Sequence, residues 1–133
     1  MADQLTFQAV DAGVRAALAA YTQALDDGRT DDVVATFCTD GSIELPGMGT
    51  HVGHDALRTA YDGWKPQRNQ RHLIVNTFVT DWDDHEASAI SDMVFILQGK
   101  DGWAIKIVGR YNDVLHCDDG TWRFHRRVAT FLT

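Results

Sequence analysis

The first part of the chain carries apolar residues at helical spacing. They fall three or four positions apart through an alanine-rich stretch, at Val10, Val14, Leu18, Tyr21 and Leu25. This spacing predicts a helix over about residues 8–27 with one apolar side, and Gly28 is a natural residue to end it. The chain therefore opens with an amphipathic helix that needs a surface to pack against.

A second, shorter helix is expected directly afterwards. Thr30 is a suitable N-cap, Phe37 belongs to the buried side, and Asp40–Gly41 breaks the helix. The remaining elements of this half are, in order, a strand at residues 42–45, a loop at residues 46–49 and a third helix from about His54 to Tyr61.

From Arg71 onward the apolar period changes from helical to alternating, which predicts strands. They cover about residues 71–82, 86–98, 103–116 and 121–132. The breaks between them are short and rich in turn formers, so neighbouring strands should form hairpins in an antiparallel meander. Helices followed by such a sheet give an α+β fold, and the twisted sheet curls around the helices. We expect one domain over residues 1–133, with a pocket for a small, largely apolar molecule on the concave side.

Composition and charge narrow the class of protein. The 133 residues are 44% apolar and 23% charged, and no stretch approaches the roughly 18 apolar residues of a membrane span. A net charge of −7 argues against binding to nucleic-acid phosphates. The N-terminus lacks the pattern of a secretory signal, and Cys38 and Cys117 fit free thiols better than a disulfide framework. We therefore expect a cytoplasmic protein without a nucleic-acid or membrane partner.

Several local strings resemble a known family. Residues 21–28, 35–41 and 43–47, followed by Gly53, resemble the opening half of the nuclear transport factor 2 superfamily, and residues 71–76 and 118–124 resemble its SnoaL-like branch. The resemblance implies an α+β roll of the cystatin-like type with a cone-shaped pocket. It does not imply one activity, because the superfamily includes dehydratases, isomerases, polyketide cyclases, dioxygenase small subunits and transport factors.

His72 is the first candidate for chemistry. Strand alternation places it on one face with Ile74, Asn76 and Phe78, so an imidazole and an amide should face inward together. This suits a general base beside a substrate-orienting group, and the alternative is a buried histidine bonded to a backbone carbonyl. The resemblance implies the role of general base, because scytalone dehydratase and hexachlorocyclohexane dehydrochlorinase have their catalytic histidine at the position of His72. The dehydrochlorinase also has an asparagine at the position of Asn76.

Asp26 is the expected partner of His72. The resemblance implies this, because the same two enzymes hold their histidine with an aspartate at the corresponding place near the end of the first helix. Helical geometry puts Asp26 beside Ala19 and Thr22, off the centre of the apolar side, where it can line a cavity wall or stay a solvated acid. A carboxylate on one ring nitrogen fixes the tautomer and stabilises the imidazolium.

Four more residues are candidates for substrate binding. Tyr21 matches, by resemblance, the tyrosine that stabilises the enolate in ketosteroid isomerases, but Leu45 stands where those enzymes have their aspartate base. The isomerase mechanism therefore lacks its base. The resemblance also implies a substrate-binding arginine at Arg127, with Arg126 on the opposite strand face as the alternative. Tyr111 shares a strand face with apolar residues and is a further pocket candidate.

These residues favour a cofactor-free acid–base enzyme that catalyses dehydration or another β-elimination, with cyclisation or isomerisation as a close alternative. The competing hypothesis is a non-catalytic ligand carrier or an accessory subunit like those of ring-hydroxylating dioxygenases. His51 and His54 lack a third ligand, so we expect no metal site. A second apolar strand face predicts a homodimer or larger homo-oligomer, and comprises Val75, Val79, Val94 and Ile96.

Overall fold

The structure is a computed structural model and describes residues 4–132. Three helices lie in its first half: α1 (Phe7–Asp26), α2 (Thr30–Ala35) and α3 (His54–Gly63). Thr6 caps α1 by accepting a hydrogen bond from the backbone N–H of Ala9 at 3.1 Å. Gly28, with φ of 71°, follows the end of α1 as predicted. Across residues 4–132, none of the helices combines the length and the apolar character needed to cross a bilayer.

Within residues 4–132, six strands form one sheet. They are β1 (Phe37–Leu45), β2 (Gly49–Val52), β3 (Gln70–Trp82), β4 (Glu86–Gly99), β5 (Gly102–Asp118) and β6 (Thr121–Leu132). Their order in the sheet is β2-β1-β6-β5-β4-β3. The predicted antiparallel meander of the last four strands is confirmed, and so is the α+β class. However, β1 pairs with β6 in parallel, so the sheet is mixed rather than wholly antiparallel.

The first strand begins earlier than the sequence predicts. Phe37 was expected on the buried side of a helix, yet α2 ends at Ala35 and Phe37 pairs with Phe124 of β6. Gly41 also lies within β1, where a Cβ atom would be 2.6 Å from the carbonyl oxygen of Phe124. Glycine at this position therefore allows close approach of the two strands, rather than ending a helix.

The sheet packs one face, the inner face, against the helices. The core is formed by residues such as Val14 and Leu18 of α1, Leu57 of α3, and Leu115 and Phe124 of the sheet, all of which are buried. The opposite face, which we call the outer face, leaves seven large apolar side chains exposed: Leu73, Val75, Phe78, Trp103, Ile105, Val108 and Leu132. One sheet face is thus an ordinary core and the other is an uncovered apolar surface.

A β-bulge in β3 changes the faces of the residues that follow Val75. The pairing with β4 shifts between Val75 and Phe78, and Asn76 adopts a φ of 57°. The inserted residue moves the alternation by one position. Phe78, predicted to face inward, is therefore 62% exposed, and Val79, predicted on the other face, is buried. Both predictions were wrong because they assumed an unbroken period of two.

Candidate functional site

A cavity of about 280 Å³ lies between the helices and the inner face of the sheet. Most of its lining is aromatic or aliphatic. The main apolar contributors are Tyr21, Leu45, Tyr61, Trp64, Phe95 and Tyr111. Gln70 and His72 are the lining residues with an amide or an imidazole. The cavity is therefore an apolar chamber with a few polar groups in fixed places, as small-molecule sites usually are.

The end of α1 and the start of β3 bring Asp26 and His72 together at one wall of this cavity. Asp26 Oδ1 lies 2.6 Å from His72 Nδ1, and Oδ2 accepts a hydrogen bond from the backbone N–H of His72 at 2.8 Å. Gln70 Nε2 donates a third hydrogen bond, to Oδ1, at 3.1 Å. A carboxylate on Nδ1 selects the tautomer in which Nδ1 carries the proton and Nε2 is the basic nitrogen.

The surroundings keep the Asp26 carboxyl ionised. Burial raises its pKa, since its side chain is only 5% exposed, but hydrogen bonds from the side chain and backbone of His72 outweigh burial and hold the pKa below its usual value. The His72 ring is 13% exposed and packs against Phe95, with ring centroids 4.7 Å apart. An ionised acid and an imidazole are thus held in contact within an otherwise apolar wall.

Two tyrosine hydroxyls meet at another part of the cavity. The oxygens of Tyr21 and Tyr61 are 2.5 Å apart, and both side chains are buried. Burial raises the pKa of each phenol well above its ordinary value, so both are neutral at physiological pH. One hydroxyl donates to the other, which leaves the second proton for a ligand. The pair can therefore offer a hydrogen bond to an oxygen inside the cavity.

Arg127 lies behind the aromatic wall and does not line the cavity. Its guanidinium carbon is 3.6 Å from the ring centroid of Tyr111 and 4.3 Å from that of Tyr21. Its Nε is 3.1 Å from Asp113 Oδ1, and both side chains are fully buried. Burial raises the pKa of Asp113 to about 6, even though Arg127 pulls it down. Arg127 rather than the exposed Arg126 is thus the interior arginine, but the prediction that it contacts substrate directly is corrected to a position behind the tyrosines.

Asn76 does not face the cavity, contrary to the sequence-based prediction. Its side chain is exposed and Nδ2 donates a hydrogen bond to Asp92 Oδ2 at 3.0 Å. The reason is the bulge in β3: a residue inserted after Val75 no longer shares the face of His72. The amide that does accompany His72 is Gln70, two residues earlier on the same face.

Leu45 and Tyr111 both line the cavity, as the sequence predicted. Tyr61, Trp64 and Gln70 also line it, but the sequence did not predict them as cavity residues. Periodicity marked Tyr61 as an apolar residue of the third helix, and it cannot show that the hydroxyl reaches Tyr21. Gln70 lies just before the expected start of the strand at residue 71. A strand drawn from residue 70 would have placed it with His72.

Comparison with known proteins gives a family and a fold. The family model described as a SnoaL-like domain matches residues 9–128. No curated protein sequence matches the chain. Among solved structures, a protein of unknown function from Mycobacterium tuberculosis has a TM-score of 0.86 and is 25% identical, over 94% of this chain and 73% of that one.

Two similar structures come from Novosphingobium aromaticivorans. A candidate scytalone dehydratase has a TM-score of 0.84 and 21% identity, covering 95% of this chain and 86% of its own. A candidate β subunit of an aromatic-ring-hydroxylating dioxygenase has a TM-score of 0.83 and 23% identity, covering 95% of this chain and 91% of its own. At these identities the likeness establishes the shared fold.

Proposed function

The chain belongs to the SnoaL-like domain family, within the nuclear transport factor 2 superfamily, and we propose that it is a cofactor-free acid–base enzyme. Its substrate would be a small cyclic or polyketide-like molecule, and its reaction a dehydration or another β-elimination. The observation that carries the proposal is the contact between Asp26 and His72 in the wall of an apolar cavity. The closest alternatives within this class are cyclisation and isomerisation.

The proposed reaction needs one base and one hydrogen-bond donor. Nε2 of His72 takes a proton from a carbon next to a carbonyl group, and Asp26 stabilises the resulting imidazolium through Nδ1–H. The electron pair of the broken C–H bond forms the C=C bond while the C–O bond to the β-hydroxyl breaks. The imidazolium returns its proton to the departing hydroxide, which leaves as water. The Tyr21–Tyr61 pair donates a hydrogen bond to the carbonyl oxygen as negative charge develops there.

The dimensions of the cavity limit the substrate. A volume of about 280 Å³ is at the small end of ligand sites, which suits a molecule of one or two fused rings. The tyrosine, tryptophan and phenylalanine side chains of the lining offer ring faces and edges to a flat substrate. We therefore expect a β-hydroxy ketone on a largely flat framework of one or two rings, with few charged groups.

The test is turnover of a panel of one- and two-ring β-hydroxy ketones, followed by mass spectrometry for loss of water. We expect His72→Ala to lower the rate by about 10²- to 10⁴-fold on a compound that the wild type converts. His85→Ala is the matched control, because His85 is an exposed turn residue away from the cavity. Circular dichroism establishes that both variants are folded. Full activity of His72→Ala would exclude His72 as the base.

A second candidate function is a non-catalytic accessory subunit, and the similarity to a candidate dioxygenase β subunit favours it. In that case the chain would co-purify with a larger, metal-containing oxygenase subunit. His72→Ala would then leave the activity of the complex unchanged. The two hypotheses thus differ in the outcome of the same substitution.

We also propose that the chain forms a homodimer through the outer face of the sheet. The exposed apolar residues of that face form a patch whose contact with water is unfavourable, and a second copy of the chain would bury it. Ile105→Glu should give a monomer in analytical ultracentrifugation, because it places a charge within the patch. Val52→Glu, at an equally exposed valine of β2, is the control and should leave the dimer intact. A monomeric wild type would refute the proposal.

The expected location is the cytoplasm. Cys38 and Cys117 are both free thiols, as is usual in a reducing compartment. Fractionation of the native host, with the chain detected by an antibody, tests this expectation.

A further inference from the structure

Three potential metal ligands meet on the sheet away from the cavity. Cys38 of β1, His116 of β5 and His125 of β6 each place one ligand atom within 4.8 Å of the others. None of the three lines the cavity that holds His72. Cys38 and His116 instead line a separate groove of about 450 Å³, together with Asp40 and Asp118. The cluster is therefore a second site, independent of the proposed active site.

Strand pairing explains why these residues converge. Each follows directly on a buried core residue: Cys38 on Phe37, His116 on Leu115, and His125 on Phe124. Phe124 pairs with both Phe37 and Leu115, so the three core residues lie side by side and the next residue of each strand projects to the other face. The register of β5 and β6 shifts here, and His125 is the extra residue of the resulting bulge, which turns its ring toward His116.

Two carboxylates accompany the histidines. Glu86 Oε2 is 3.0 Å from His116 Nε2, and Asp40 Oδ1 is 3.6 Å from His125 Nδ1. Histidines that bind metals usually have one ring nitrogen on such a carboxylate while the other binds the ion. Glu86 thus leaves Nδ1 of His116 as its ligand atom. Nδ1 of His125 is buried and has no hydrogen-bond partner within residues 4–132, so a cation would supply the missing interaction.

We propose that Cys38, His116 and His125 bind one divalent metal ion of the zinc type, with Asp40 as the fourth ligand. One thiolate, two imidazoles and a carboxylate are the donor types that Zn²⁺ takes in proteins. Asp40 and Glu86 make the surroundings attractive to a cation. Arg123 also lines the groove, and its positive charge would repel a cation. Its closest recorded contact with Cys38, however, is through the backbone oxygen, which lies 3.7 Å from Sγ.

Binding requires a small rearrangement of the two rings. His116 and His125 are stacked, with centroids 4.2 Å apart and planes at 12°. Parallel rings cannot both aim a lone pair at one ion, so they must turn apart until the two nitrogens converge. Both side chains are about one-third exposed and can change rotamer without disturbing the core. Loss of the ring stack is therefore a signature of binding that simple surface adsorption would not produce.

The experiment uses the full chain without a histidine tag, in a phosphine reductant, titrated with Co²⁺ as the probe. We expect one Co²⁺ per chain, with a near-ultraviolet thiolate-to-cobalt band and visible bands typical of a tetrahedral site. Zn²⁺ should displace the cobalt and abolish the colour. Shifts of the His116 and His125 ring protons in nuclear magnetic resonance report the opening of the stack.

Matched variants decide the assignment. Cys38→Ser should remove the thiolate band, and His116→Gln or His125→Gln should each weaken binding at least about tenfold. Cys117→Ser is the control for the second cysteine, and it should keep the full spectrum. A wild type that binds no stoichiometric Co²⁺, or a thiolate band that survives in Cys38→Ser, would overturn the proposal. Because turnover is not measured, this result is independent of the proposed acid–base function.

Discussion

The carboxylate of Asp26 holds both the ring and the backbone of the same residue, His72. One oxygen is 2.6 Å from Nδ1 and the other is 2.8 Å from the backbone nitrogen. The two contacts join the last residue of α1 to the start of β3. The carboxylate therefore sets the position of the strand as well as the orientation of the imidazole, and its removal should affect both.

Asp26→Asn should lower activity by about 10²- to 10⁴-fold without unfolding the protein. The amide still fills the space, but it carries no charge to stabilise the imidazolium and no longer selects one tautomer. Nitrogen chemical shifts of the His72 ring should change from a single tautomer with protonated Nδ1 to a mixture. The exposed neighbour provides the control: Asp27→Asn should leave both activity and the ring shifts unchanged. An Asp26→Asn variant with wild-type kinetics would exclude a positioning role for Asp26.

The two buried tyrosines should be energetically coupled. Tyr61→Phe leaves the hydroxyl of Tyr21 buried without its partner, which should cost about 1–3 kcal/mol of stability in urea unfolding. Tyr21→Phe should have a similar effect. The double variant removes both hydroxyls, so its cost should be smaller than the sum of the two. Strictly additive losses would mean that the 2.5 Å contact contributes nothing to the free energy of unfolding.

The sequence predicted the fold well because the signals for it are local and repeated. Four strands are marked by alternation and the three hairpin turns between them by clusters of Asp and Gly, and these strands lie where expected. The parallel pairing of β1 with β6 could not be predicted in this way. It depends on Gly41 allowing the close approach of a strand more than 80 residues away in the chain, for which no local pattern exists.

For the site, the sequence predicted that Asp26 and His72 lie in contact, as they do in the structure, but it misplaced Asn76 and Arg127. The bulge after Val75 displaces Asn76 and reverses the faces of Phe78 and Val79, and neither composition nor periodicity marks it. The position of Arg127 depends on three-dimensional packing, because its guanidinium is covered by aromatic rings that come from other elements of the chain. Resemblance supplied the pairing of Asp26 with His72, which helical geometry alone had left open.

The buried carboxyl of Asp113 should make stability depend on pH. Its pKa is about 6 in the folded protein and 3.8 ordinarily, so the folded state keeps the proton to a higher pH than the unfolded chain does. Its stabilising contribution is complete below the unfolded pKa and is lost as the pH rises through about 6. The corresponding change in free energy is about 3 kcal/mol.

Comparison with Asp113→Asn isolates this effect, because the variant has no proton to lose at that position. Between about pH 3 and pH 7.5, the free energy of unfolding of the wild type should fall by about 3 kcal/mol relative to that of the variant. Urea unfolding at several pH values measures the difference. A change of the opposite sign would mean that Arg127 outweighs burial and holds the pKa of Asp113 below its ordinary value.

Gly13 should be indispensable for the position of α1. Alanine in place of glycine within a helix normally stabilises by about 0.5–1 kcal/mol, but a Cβ at Gly13 would lie 2.3 Å from Cδ1 of the buried Trp122. We expect Gly13→Ala to destabilise the protein by about 1–3 kcal/mol through overpacking. Gly63→Ala is the matched control, since nothing lies within 4 Å of its Cβ position, and it should be neutral or stabilising.

The consequence of this contact reaches the cavity, because α1 also carries Tyr21 and Asp26. A helix pushed away from Trp122 would move both side chains relative to the sheet that holds His72. Gly13→Ala should therefore weaken the hydrogen bond between Asp26 and His72, seen as a change in the ring nitrogen shifts of His72, while Gly63→Ala leaves those shifts unchanged. If Gly13→Ala is as stable as the wild type, the Trp122 side chain has moved to accept the methyl group and α1 has kept its position. The His72 ring shifts should then stay at their wild-type values.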